Sequence, residues 1–63
     1  MTIYELRQAV SEDTTLWIQK DDGGYCEANE SSFLSHKWDG EKVKTMYPEQ
    51  YPAIGCAGIT VVI

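Results

Sequence analysis

Gly58-Ile59-Thr60-Val61-Val62-Ile63 is an almost continuous run of apolar, β-branched residues in an otherwise polar and locally interrupted chain. Its reading decides the fold. Such a run suits a strand covered on both faces and is the expected spine of a sheet. Alternation puts Ile59, Val61 and Ile63 on one face and Thr60 and Val62 on the other. The first face belongs on a core. The second is half polar, so either a loop of the same chain lies over Val62 or a partner covers it. A short chain with one helix covers one sheet face with its own material. An exposed, flat apolar strand is an association site by default. A homo-oligomer is therefore expected, with Trp17, Ile59, Val61, Val62 and Ile63 as the interface candidates.

Outward from that strand, 63 residues allow a single domain spanning 1–63. A chain of that size buries only about 60% of its unfolded surface, which adds to the case for association. The expected core is Ile3, Leu6, Val10, Leu16, Ile18, Phe33, Leu34, Val43, Ile54, Ile59, Val61 and Ile63. Thr2-Ile3-Tyr4-Glu5 matches a capping box, in which the Thr2 hydroxyl and the Glu5 carboxylate satisfy each other's backbone amides. Ile3, Leu6 and Val10 then form the buried stripe of a short helix that stops near Val10.

Residues 14–20 read as a strand, with Leu16 and Ile18 on one face and Thr15, Trp17 and Gln19 on the other. Asp21-Asp22-Gly23-Gly24 is a hairpin signal, and residues 25–29 return as the second strand. Alternation there places Cys26 and Ala28 toward the helix, and Tyr25 and Glu27 with Trp17 on the far side. Residues 30–40 fit either a helical turn capped by Ser31 and Ser32 or a strand from Phe33 to Trp38. Residues 41–47 read as a strand, and Tyr47-Pro48-Glu49-Gln50-Tyr51-Pro52 as a loop. Gly55 and Gly58 bracket a flexible or tightly turned lead into the last strand. The expected class is α+β: one short N-terminal helix packed on a small, mainly antiparallel sheet of about three to five strands.

The charge pattern excludes some functions. Ten acidic and five basic side chains give a net charge of −5, which argues against direct nucleic-acid binding. Cys26, Cys56 and the sole histidine, His36, do not supply the tight ligand spacing of a zinc site, so neither metal nor cofactor is expected. Met1 leads straight into the helix signal without an apolar signal-peptide region, and no run approaches the ~18 apolar residues of a membrane span. A cytoplasmic protein with no membrane contact and two free cysteines is expected.

The opening Met1-Thr2-Ile3-Tyr4-Glu5-Leu6, the stretch Glu12-Asp13-Thr14-Thr15-Leu16-Trp17-Ile18 and the ending of a Tyr-Pro loop before Gly58-Ile59-Thr60-Val61-Val62-Ile63 resemble small uncharacterised accessory proteins of phages and prophages. The resemblance covers both ends of the chain and leaves the middle unmatched. It implies a helix-then-sheet protein in the style of counter-defence proteins, which bind a host defence protein or sequester a nucleotide signal. In a phage-encoded protein the host cytoplasm would be the place of action. No residue role carries over from it.

The residues themselves offer three chemistries. His36 with Glu30 or Asp39 could act as a base and Cys26 or Cys56 as a nucleophile, but no catalytic signature surrounds them and no enzyme is expected. Trp17, Tyr25, Trp38, Tyr47 and Tyr51, with Lys42 and Lys44 and the further cations Arg7 and Lys37, could stack a base and hold a phosphate. The same rings equally suit a small core or a subunit interface. Asp21, Asp22, Glu27 and Glu30 could present a phosphate-like row to a host protein. The expected function is stoichiometric inhibition of a host defence system. The alternative is a small oligomeric structural or regulatory module without a ligand.

Overall fold

In a computed structural model of the chain, the backbone is described at residues 1–51 and 56–63, and side chains at 1–48 and 58–63. Helix α1 (Ile3–Ala9) opens the chain, followed by β1 (Thr15–Gln19), β2 (Tyr25–Glu30), a 3-10 turn (His36–Trp38), β3 (Thr45–Tyr51) and β4 (Cys56–Val62). The capping box forms. The Glu5 amide donates to Thr2 Oγ1 at 3.2 Å and the Thr2 amide to Glu5 Oε1 at 2.9 Å. The Thr2 amide first, and second the Thr2 hydroxyl, which also donates to Glu5 Oε1 at 3.2 Å, hold the Glu5 carboxyl below its ordinary range. Seven helical residues are too few to persist alone. Burial of Ile3 and Leu6 against the sheet holds the helix in place.

The four strands form one mixed sheet in the order β2-β1-β4-β3. β1 pairs antiparallel with β2 and parallel with β4, and β3 pairs antiparallel with β4. The apolar last strand is thus a central strand with both edges paired. Gly58 lies opposite Thr15 in that parallel pair. A Cβ on Gly58 would lie 2.6 Å from the Thr15 carbonyl oxygen, so the glycine permits this close approach of the two strands. At the β1–β2 hairpin, Gly23 takes φ +90°, the conformation that favours glycine.

Cross-strand pairs share a face, so the register sorts the side chains into two layers. Asn29, Leu16, Ile59 and Pro48 line up on the inner face, as do Glu27, Ile18, Val61 and Met46. Leu16, Ile18 and Val61 are fully buried there with Ile3, Leu6 and Leu34. Val10, Cys26, Trp38, Val43, Ile59 and Ile63 pack around them. Helix α1 and residues 31–40 cover this face.

Several expectations change. Phe33 is 71% exposed and is not core, because neighbouring side chains in the turn diverge and Leu34 takes the core position. Ile54 lies outside the described residues. Glu30 ends β2, and residues 31–40 form turns and the 3-10 turn capped by Ser35, not a strand. Strand β3 begins at Thr45 and runs through Pro48 to Tyr51, where a loop is expected from sequence. The bias of the residue before a proline toward extended backbone serves a strand as well as a loop. An edge strand such as β3 also tolerates the missing N–H. The lead from Cys56 to Gly58 is likewise already strand, paired with β3.

Candidate interaction surface

The second sheet face is built from the residues that alternate with the core. Ala28, Trp17, Thr60 and Tyr47 form one cross-strand row, and Tyr25, Gln19, Val62 and Thr45 the next. The register between β1 and β2 slips at Ile18/Gln19, so Cys26 is the extra residue of a bulge. That slip corrects the sequence reading of β2. Tyr25 shares the outer face with Trp17, as alternation predicts, but Glu27 moves to the inner face and Ala28 to the outer.

Trp17 and Tyr25 meet edge to face, with ring centroids 5.5 Å apart and planes at 69°. Tyr47 accepts a weak hydrogen bond from Gln19 Nε2 at 3.4 Å across β4, the strand between them. Thr60 and Val62 lie low between these side chains, 2% and 7% exposed, whereas Tyr25 and Tyr47 stand 63% and 44% exposed. The main core cluster of described residues lies wholly on the other side of the sheet. Among the described side chains, the charged residue on the outer face is Glu30, in the row with Thr15 and Gly58.

Of the expected ligand residues, the fold gathers Trp17, Tyr25 and Tyr47 and separates the rest. Trp38 packs against the inner-face core, and its indole N–H donates to Glu27 Oε1 at 3.0 Å. The other Glu27 oxygen accepts from the Ser35 amide at 3.0 Å. The Ser35 bond first and the Trp38 bond second hold the Glu27 carboxyl below its ordinary range. Lys37 lies over the Trp38 ring at 4.8 Å from its centroid. Lys44 pairs with Asp21 of the hairpin, and that contact lowers the Asp21 carboxyl. Lys42 lies at an isolated bridge beside Thr2, away from the rings. The Tyr51 side chain lies outside the described residues.

The expected interface set also divides. Trp17 and Val62 belong to the outer face. Ile59, Val61 and Ile63 pack on the inner side of the sheet, Val61 fully buried and the other two partly exposed. The acidic row does not form either. Asp21 is paired with Lys44, Asp22 accepts from the Gly24 amide at 2.8 Å, and Glu27 faces inward.

Arg7, 7% exposed at its side chain, was invisible as a structural residue in the sequence. Its Nε pairs with Asp39 Oδ1 at 3.0 Å, and its Nη2 donates to the carbonyls of Leu34 and Ser35. The guanidinium therefore ties α1 to the 34–39 segment and is not free to hold a phosphate. Asp39 Oδ2 lies 2.9 Å from His36 Nδ1, so Asp39 is the carboxylate that sequence proximity suggested. Cys26 is a free thiol whose nearest polar contact is the Gly24 carbonyl at 3.9 Å, not the imidazole. Among the described residues, two shallow clefts measure about 230 and 250 Å³. The first is lined by Tyr4, Gln8, Glu12, Ser32 and His36 among others, and the second includes Lys20, Asp21, Trp38, Glu41 and Lys44. Among the described residues no three His, Cys, Asp or Glu side chains group to hold a metal, and no helix is long and apolar enough to cross a membrane.

The fold is a small α+β domain with one short helix and a four-stranded mixed sheet. No family model, no curated protein and no solved structure matches the chain.

Proposed function

We propose that the protein is a non-catalytic binding module whose working surface is the outer face of its sheet. One observation carries this reading. Trp17, Tyr25 and Tyr47 converge there with almost no charge, on a chain otherwise rich in charged side chains. Aromatic enrichment with charge depletion is the composition of an interface centre. The partner is a polypeptide. The constellation that a nucleotide needs is divided between two sheet faces, and of its cations Arg7, Lys37 and Lys44 are engaged elsewhere. The resemblance to phage accessory proteins supplies the role: stoichiometric inhibition of a host defence protein in the host cytoplasm.

The test is infection of a panel of bacterial hosts, each carrying one defence system, with the protein supplied in the cell. Wild-type protein is expected to restore plaque formation on at least one host, and Tyr25→Lys/Tyr47→Lys to lose that effect. Rescue of no host, or equal rescue by the double variant, contradicts the proposal. A second reading, nucleotide sequestration, has the cleft of about 250 Å³ beside Trp38, Lys20 and Lys44 in its favour, although Asp21 and Glu41 offset its charge. Native mass spectrometry with linear and cyclic nucleotides tests it. A retained nucleotide that Trp38→Ala releases would move the site to that cleft, and no retained mass removes this reading.

A further inference from the structure

We infer that a second copy of this chain docks face to face on the outer sheet surface, forming a two-fold homodimer. The inference rests on the outer face being a binding surface and names the occupant of the free protein, which a host partner binding the same face would have to displace.

Self-complementarity is the first argument. A two-fold interface sets one patch against itself, so its polar groups must be able to both donate and accept. The described polar groups of the outer face are the hydroxyls of Tyr25, Tyr47, Thr45, Thr15 and Thr60, the amide of Gln19 and the indole N–H of Trp17. All but the indole, which only donates, can do both. A patch meant for a partner of opposite charge would carry acids or bases. Among the described side chains the charge on this face is Glu30 alone, in the row with Thr15 and Gly58.

Electrostatics points the same way. Two copies, each with a net charge of −5, repel across most of their surfaces. The charge-poor outer face is where they approach at least cost.

The sheet edges offer no equal route. β3 carries Pro48 at mid-strand and so lacks a donor there, while β2 carries the Cys26 bulge and the acids Glu27 and Glu30. Proline, bulges and charge are the features that stop edge-to-edge pairing. Face-to-face packing remains, with sheets about 10 Å apart.

Sedimentation equilibrium on the full chain tests the proposal, alongside Tyr25→Lys/Tyr47→Lys. Both tyrosines stand more than 40% exposed, so the variant is expected to fold, with far-UV circular dichroism as the check. The substitutions bring the net charge from −5 to −3, so any loss of association reflects local repulsion on this face and not a larger overall charge. Wild-type protein is expected to dimerise at micromolar concentration, and the variant to weaken the dimer at least ~100-fold. If the double variant fails to fold, Thr45→Lys, an exposed position on the same face, carries the test. Wild-type protein that stays monomeric to about 1 mM overturns the dimer, as does a dimer that survives these variants. The infection test separates the two ideas. A monomer whose counter-defence effect the double variant abolishes ends the dimer and leaves the binding face standing. A dimer with no effect on any host leaves the self-association and ends the inhibitory role.

Discussion

The two faces of the sheet share strands and hydrogen bonds but differ in what their side chains do. Leu16, Ile18 and Val61 on the inner face are fully buried by α1 and the 31–40 segment. On the outer face Thr60 and Val62 are almost as buried, yet their cover includes rings that themselves stand in solvent. Among the described residues the inner face is sealed by backbone elements, whereas the cover seen on the outer face is made of side chains. Burial of a sheet residue is therefore no measure of whether its face is finished. Substitutions on the inner face are expected to act on folding, and those on the outer face on association.

The largest effect is expected from Leu16→Ala, which opens a cavity under α1 and costs about 2–5 kcal/mol. For a domain this small that is most of its stability, so the variant is expected to be largely unfolded by circular dichroism at 25 °C. A folded Leu16→Ala would mean that the inner face is not what holds the sheet.

Arg7→Ala follows, at about 2–3 kcal/mol. It strands Asp39 and removes the donor to two carbonyls in a partly buried site. Urea denaturation should show the loss, and amide exchange should rise first in residues 34–39. Gly58→Ala is expected to cost about 1–3 kcal/mol, since its Cβ meets the Thr15 carbonyl and must push apart the parallel pair. An unchanged midpoint would show that the pair can shift freely.

Glu27→Gln is expected to cost about 1–2 kcal/mol at pH 7 by replacing a charged acceptor of two hydrogen bonds. The folded carboxyl is held below its unfolded value, so its contribution is present above the unfolded pKa and is lost as pH falls through the folded one. The gap between wild type and variant should therefore close below about pH 4. The smallest effect on folding is expected from Tyr47→Thr, within about 0.5 kcal/mol, read at a protein concentration that keeps both chains monomeric. A larger loss would assign Tyr47 to the fold and blur the distinction between the faces.

Much of the fold was legible where local signals agreed. Thr2 and Glu5 gave the cap, Leu16 and Ile18 gave the inner face, and Gly23 marked the hairpin. Signals that depend on distant partners were not legible. The bulge at Cys26 reversed the faces of Glu27 and Ala28, and nothing in residues 25–30 announces it. Pro48 and Gly58 suggest breaks by composition, yet each lies in a strand because of its position in the sheet, one at an edge and one where two backbones nearly touch. The outer surface was half legible. Alternation grouped Trp17 with Tyr25, but Tyr47 joined them only through the pairing of β3 with β4. Trp38 left the set because its indole N–H found Glu27, a residue that the bulge had turned inward.

The most direct test is urea denaturation of wild-type protein and Tyr25→Lys/Tyr47→Lys over a hundredfold range of protein concentration. If the inner face folds the chain and the outer face binds a second copy, the wild-type midpoint rises with concentration. The variant's midpoint stays constant at the wild-type low-concentration value. A variant unfolded at every concentration, or a wild-type midpoint that never moves, contradicts the account.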